Sequence, residues 1–253
     1  MMRGDNSAHV CKIAAIAALA PLSAAAETCR QALILGLDVS LSVDVFDFAL
    51  QRGGLAAAVE DPEVVQALTA PSGHVKLAVF EWSGQFNQTL LVDWTTVQGP
   101  ETLAEISIQL RDAPQGIRSG RTGLGAAMLF ARDQLRRVDC AALTVDISGD
   151  GANNNGPRPT EIRQALEFEG ITVNALVIEP EAAGPSGLTR YFEDNVISGP
   201  GAFTETIRGF NNYEDAIRRK ILRETAPAFV QNQRQDRLDN SEKKPVLRAR
   251  HRR

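Results

Sequence analysis

Three short segments carry oxygen donors in a pattern that could hold a hard metal ion. In the first, DVSLSVD, Asp38 is followed by Ser40 and Ser42 at alternate positions, and Asp44 closes the stretch. The second, GRTGLG, holds Thr122, and the third, SGDG, holds Asp150. Two carboxylates and three hydroxyls form an all-oxygen set suited to Mg2+, with Mn2+ or Ca2+ as alternatives, rather than to zinc or copper. With only two acidic ligands, the protein does not overcharge a bound divalent cation, because the hydroxyls hold it without neutralising it further. Water would complete the shell, and a carboxylate from another molecule could displace one water. Each segment alone is ordinary. Ser40, Ser42 and Asp44 suit the start of a helix, Thr122 suits an N-cap, and Asp150-Gly151 suits a turn. The combination acquires meaning only if other elements bring the three together.

The surrounding pattern predicts such elements. Residues 31–39 (QALILGLDV) are almost continuously apolar, as in a strand buried on both faces. Helical spacing follows over 43–68, with breaks expected near Gly53-Gly54 and Asp61-Pro62. Residues 74–84 and 87–97 predict two strands paired antiparallel across a short turn. A short helix is predicted over 99–114. A stronger one follows over 122–138, where Leu124, Ala127, Met128, Ala131, Leu135 and Val138 share one face. Strands are predicted at 140–151, 171–179 and, as a short edge, 202–207; helices at 158–170, 188–196 and 213–224. This alternation predicts an α/β fold: a doubly wound, mainly parallel sheet with one antiparallel strand and helices on both faces. In such a sheet the ends of the first strand and of the strand carrying Asp150 open on one edge, where ligands collect.

Composition narrows the function. Lys12 precedes an apolar run that ends in small residues at Ala24 and Ala26, the pattern of a signal peptide over 1–26 cleaved near Ala26. The run is shorter than the ~20 residues a spanning helix needs, so no membrane span is expected. AETC does not match a lipobox, and the RGD at Arg3–Asp5 would leave with the leader. A periplasmic or secreted location follows. Cys11 would also be lost, leaving Cys29 and Cys140, and an exported chain with two cysteines favours one disulfide. The three histidines, His9, His74 and His251, are too few for a zinc site or a credible Ser-His-Asp arrangement. A domain over 27–229 and a basic, disordered tail over 230–253 are expected. From 231 onward eight Lys or Arg face three Asp or Glu, and the leader is +1, which leaves −10 for 27–230 within a chain total of −4. So acidic a domain argues against nucleic acid as its partner.

Other readings of the same segments are weaker. An EF-hand loop from Asp146 would need Glu where Pro157 stands, and an aspartyl-nucleophile phosphatase would need Asp where Ser40 stands. Asn153, Asn154 and Asn155 suit turns, and Trp82 and Trp94 suit packing. Asp146 lies inside a strand, where a bare carboxylate is costly; it calls for a buried partner or a supporting role at the site.

The order D-x-S-x-S, Thr, Asp resembles the metal-ion-dependent adhesion site of von Willebrand factor type A domains, here DVSLS, GRTGLG and SGDG. The likeness spans roughly 30–225 and is nearest to exported bacterial proteins of unknown function with FALQR and D-SGDG-NN segments. The loop DISGDGANNN departs from the more usual TDG ending. The resemblance implies metal ligation by Asp38, Ser40, Ser42, Thr122 and Asp150, and binding of a protein or peptide partner that offers an Asp or Glu carboxylate. A metal-dependent hydrolase acting at the same edge is the alternative. The family's strand order also sets the first strand beside that of Asp150. Cys29 and Cys140 would then lie level at the far end, within reach of a disulfide.

Overall fold

The computed structural model describes residues 28–226 except 115, 117–119, 166–167 and 182–186. The leader, the basic tail and part of the helix predicted at 158–170 lie outside the described residues. Among the described residues six strands form one sheet: β1 (Cys29–Asp38), β2 (His74–Trp82), β3 (Gln88–Val97), β4 (Ala142–Gly149), β5 (Ile171–Glu179) and β6 (Thr204–Arg208). Their order is β3-β2-β1-β4-β5-β6, antiparallel between β2 and β3 and parallel elsewhere. The chain runs outward from β1 to β3, then returns to the other side of β1 with β4. The order therefore reverses between β1 and β4, which opens a crevice at their carboxyl ends.

Among the described residues seven α-helices cover both faces: α1 (Val45–Glu60), α2 (Pro62–Leu68), α3 (Pro100–Asp112), α4 (Leu124–Leu135), α5 (Pro159–Arg163), α6 (Leu188–Asn195) and α7 (Tyr213–Thr225). Side chains of β1 alternate between two cores. Leu33, Leu35 and Leu37 pack with α1, α2, α3 and α7, while Ala32 and Ile34 pack with α4 and α6. Both faces are buried, which is why β1 reads as continuous rather than alternating. Trp82 is fully buried, and Trp94 packs on the second core while its Nε1 donates to Gln134 O at 3.0 Å.

Two helix expectations are corrected. The helix after β1 runs unbroken through Gly53-Gly54 and stops only at Asp61. A Cβ on Gly54 would come within 3.0 Å of Glu214 N, so this glycine serves the close approach of α7 and not a break. Among the described residues of the helix predicted over 158–170, only Pro159–Arg163 are α-helical.

Asp146 has its buried partner. Lys220 of α7 lies 2.8 Å from Asp146 Oδ1 and 2.5 Å from Glu224 Oε1, all three side chains being withdrawn from solvent. Asn174 Nδ2 donates to Glu224 Oε1 at 2.8 Å. Lys220 offsets one carboxylate charge, burial raises both carboxyls so that the pair favours holding a proton, and the cluster fastens α7 to β4 and β5. At the opposite end of the sheet from Asp38, Cys29 and Cys140 form a disulfide with Cα atoms 4.6 Å apart.

Candidate metal centre

The turn after β1 divides its work between residues of similar type. Asp44 caps α1: its Oδ1 accepts from the backbone N–H groups of Phe46 at 2.7 Å and Asp47 at 2.9 Å. Asp47 completes a capping box with the Asp44 N–H. Ser40 and Ser42 take no part in that cap. The Ser40 N–H instead donates to Asp38 Oδ1 at 2.7 Å, the two serine hydroxyls lie 3.2 Å apart, and Ser42 Oγ donates to Asp150 Oδ1 at 2.8 Å. Thr122 does not cap α4, whose N-cap is Gly123. A Cβ on Gly151 would lie 3.3 Å from Thr122 Oγ1, which sets this hydroxyl directly beside the Asp150 turn. All five sequence-predicted residues thus gather at the carboxyl ends of β1 and β4.

Burial grades from floor to mouth. Asp38, Ser40 and Thr122 are buried, Asp150 is half-buried and Ser42 is exposed. Burial, and secondarily the charge of Asp150, pushes the Asp38 carboxyl up to about 8 against the pull of the Ser40 N–H. Burial likewise raises Asp150, opposed by the bond from Ser42. Asp38 Oδ2 is withdrawn from water and has no hydrogen-bond partner. An unsatisfied buried carboxylate oxygen is costly, and a cation is a group that would satisfy it. Among the described residues no three His, Cys, Asp or Glu are grouped to hold a metal. A cation here would depend on the hydroxyls as much as on the two carboxylates, and the donor set, all hard oxygen, fits one.

The scaffold of this edge includes three asparagines that the sequence assigned to turns, and a glutamine that it left without a role. Asn154 clamps the Thr122 backbone twice, with Oδ1 accepting from Thr122 N at 2.9 Å and its N–H donating to Thr122 O at 2.9 Å. The Asn155 N–H also donates to Thr122 O, and its Oδ1 accepts from Gln85 N at 2.8 Å in the β2–β3 turn. Asn153 Oδ1 accepts from Gly125 N at 3.3 Å. Gly123 donates to Ser83 O at 2.7 Å, an approach so close that a Cβ on Gly123 would sit 2.9 Å from that turn's backbone. Gln51 of α1, fully buried, donates from Nε2 to Asp38 O at 3.0 Å. Three consecutive asparagines and a glutamine on the buried side of a helix were the available signals.

A family model described as a protein of unknown function, DUF1194, matches residues 28–229. The chain belongs to the DUF1194 family. No curated protein matches it. Among solved structures, this DUF1194 chain is similar to proximal thread matrix protein 1 from the mussel byssus, with a TM-score of 0.57 and 16% identity over 78% of this chain and 49% of that one. The same byssus protein with a zinc-occupied MIDAS motif matches at a TM-score of 0.53 and 18% identity, over 77% of this chain and 46% of that one. A von Willebrand factor type A protein from Catenulispora acidiphila matches at 0.53 and 15%, over 78% and 43%. The pilus adhesin SpaC from Lactobacillus rhamnosus GG matches at 0.56 and 11%, over 79% and 31%. The DUF1194 chain therefore has the von Willebrand factor type A fold, and it spans less than half the length of each of these proteins. Among the described residues no helix is long and apolar enough to cross a membrane.

Proposed function

We propose that this DUF1194 protein is an exported module that binds a protein or peptide partner through a divalent cation, Mg2+ in the first place, with Mn2+ or Ca2+ as alternatives. Asp38, Ser40, Ser42, Thr122 and Asp150 would hold the cation. The observation that carries the reading is Asp38 Oδ2, buried without a hydrogen-bond partner at the edge where three hydroxyls and a second carboxylate gather. The bound cation would supply a Lewis-acidic coordination position, otherwise filled by water, to an oxygen of an incoming Asp or Glu. The chain's own residues do the rest: Asp38 anchors the floor, Ser42 and Asp150 shape the mouth, and Asn154 holds the Thr122 loop. The zinc-occupied site of a fold neighbour adds zinc to the cations worth testing.

Binding is favoured over hydrolysis because, among the described residues, the one histidine, His74, starts β2 at the far end, and the neighbouring carboxylates Asp44 and Asp47 are engaged in capping α1. Export is supported by the Cys29–Cys140 disulfide, which persists in oxidising compartments. It also agrees with a leader over 1–26, a domain over 27–229 and a basic tail over 230–253.

Calorimetric titration of Mg2+ and Mn2+ into the protein from residue 27 onward, beside an Asp38→Ala/Asp150→Ala variant, tests the reading. One site per chain, lost in the variant, is expected. Equal titrations of both proteins would remove the cation from the account.

A further inference from the structure

Six large apolar side chains are exposed among the described residues, and four of them border the candidate metal edge. Leu41, 64% exposed, stands between Ser40 and Ser42 and lies 3.7 Å from where a Cβ on Gly120 would sit, beside the loop of Thr122. Val45 and Phe46, 57% and 76% exposed, open α1 directly after the capping Asp44. Phe86, 86% exposed, occupies the β2–β3 turn, which the bonds from Gly123 and to Asn155 hold against the Thr122 loop. Beside Phe86 runs a groove of about 590 Å³ lined by Val39, Leu90, Ala113 and Pro114, and also by Glu81 and Asp112. Val39, the residue after Asp38, is among those that line it. Single exposed apolar residues are normal on any surface, whereas several around one polar centre mark a contact surface.

The site itself says what covers this rim. A hard divalent cation held by five protein oxygens keeps a position for one more oxygen ligand, so the occupant of the proposed site carries a carboxylate at the centre and apolar side chains around it. A second copy of the same edge meets that description less well, because the carboxylates beside its apolar rim, Asp44 and Asp47, are engaged in capping α1. We propose that Leu41, Val45, Phe46 and Phe86 are the contact residues for the partner, and that the partner presents an Asp or Glu flanked by large apolar side chains. One flank lies on Leu41, Val45 and Phe46, the other in the Phe86 groove. This rests on the cation reading above.

The test selects peptides from a random displayed twelve-residue library on the wild-type protein in Mn2+, with elution by EDTA. Mn2+ binding is titrated separately on wild type, Phe46→Ser and Phe86→Ser. Sequences enriched in an acidic residue beside Phe, Leu, Ile, Met or Trp are expected. Each substitution should weaken the selected peptides about tenfold, as truncating an interface aromatic does, with Mn2+ affinity and melting temperature unchanged. Eluted peptides that carry the acid without apolar neighbours, peptides that bind the variants equally well, or no eluted peptides despite Mn2+ binding would each overturn the rim and leave the cation site standing. Absence of Mn2+ binding would overturn both. A Mn2+-dependent dimer abolished by Phe46→Ser would assign the rim to a second copy and overturn the proposal.

Discussion

Replacing Asp38 by Asn should change the pH dependence of stability in a direction that reports on the site directly. The Asp38 carboxyl is pushed up to about 8, burial being the main cause and the Asp150 charge the second. In the unfolded chain it would titrate at ~3.9. Between these values the folded state holds a proton that the unfolded state has lost. Stability from this group is therefore fully present below pH ~4 and falls as pH rises through the folded value, at up to ~1.4 kcal/mol per pH unit. From pH 5 to pH 8 the loss is about 4 kcal/mol, roughly 8–16 °C in melting temperature for a domain of this size. Asn keeps the acceptor for the Ser40 N–H and does not titrate. Burial also raises Asp146, Asp150 and Glu224, so both proteins will slope downward. The informative quantity is the difference between them. In EDTA the variant should gain on wild type steadily from pH 5 to pH 8. In Mn2+ the order should reverse at pH 8, because the cation stabilises only the protein that binds it. Melting curves at four pH values in each condition measure this. A difference that stays constant with pH in EDTA would refute the burial argument, and one that is the same in EDTA and Mn2+ would refute the cation.

Three further outcomes are expected. Reducing the Cys29–Cys140 disulfide, which spans a sequence separation of 111, should cost about 5 kcal/mol in the chain-entropy model; melting with and without a phosphine reductant measures it, and an unchanged transition with both thiols free would contradict it. Lys220→Met strands Asp146 and Glu224 without their cation and should destabilise by about 3–5 kcal/mol in urea denaturation at pH 8, whereas Lys220→Met/Asp146→Leu/Glu224→Leu should recover most of that loss; equal stabilities would show that the buried charges are not coupled. Asn154→Ala removes the acceptor of Thr122 N and should lower Mn2+ affinity about tenfold or more while the melting temperature moves by only a few degrees; retained affinity would show that the Thr122 loop holds itself.

The order of the amino acids by itself determined the layout of this protein. Continuous apolar runs mark strands buried on both faces, period-3.6 stripes mark the helices that cover them, and their alternation leaves little choice but a mainly parallel sheet. Asp38, Ser40, Ser42, Thr122 and Asp150 were legible as a set for the same reason, since each stands where a strand or loop of that sheet ends. Such patterns encode interactions within a few residues. What depended on distant residues was decided only by the tertiary structure. Asp44, and neither serine, caps α1, because only its carboxylate lies at the N-terminus of that helix. Gly54 reads locally as a helix breaker, yet α7 packs on it, and the contact outweighs the propensity. Asn153–Asn155 read as a turn, yet their amides join the Thr122 loop to the β2–β3 turn. Asp146 found Lys220 on the last helix. An amide or a buried carboxylate declares that it needs a partner, but its type does not say which. The sheet supplies that answer by setting β4, α7 and the loops after β1, β2 and β4 side by side.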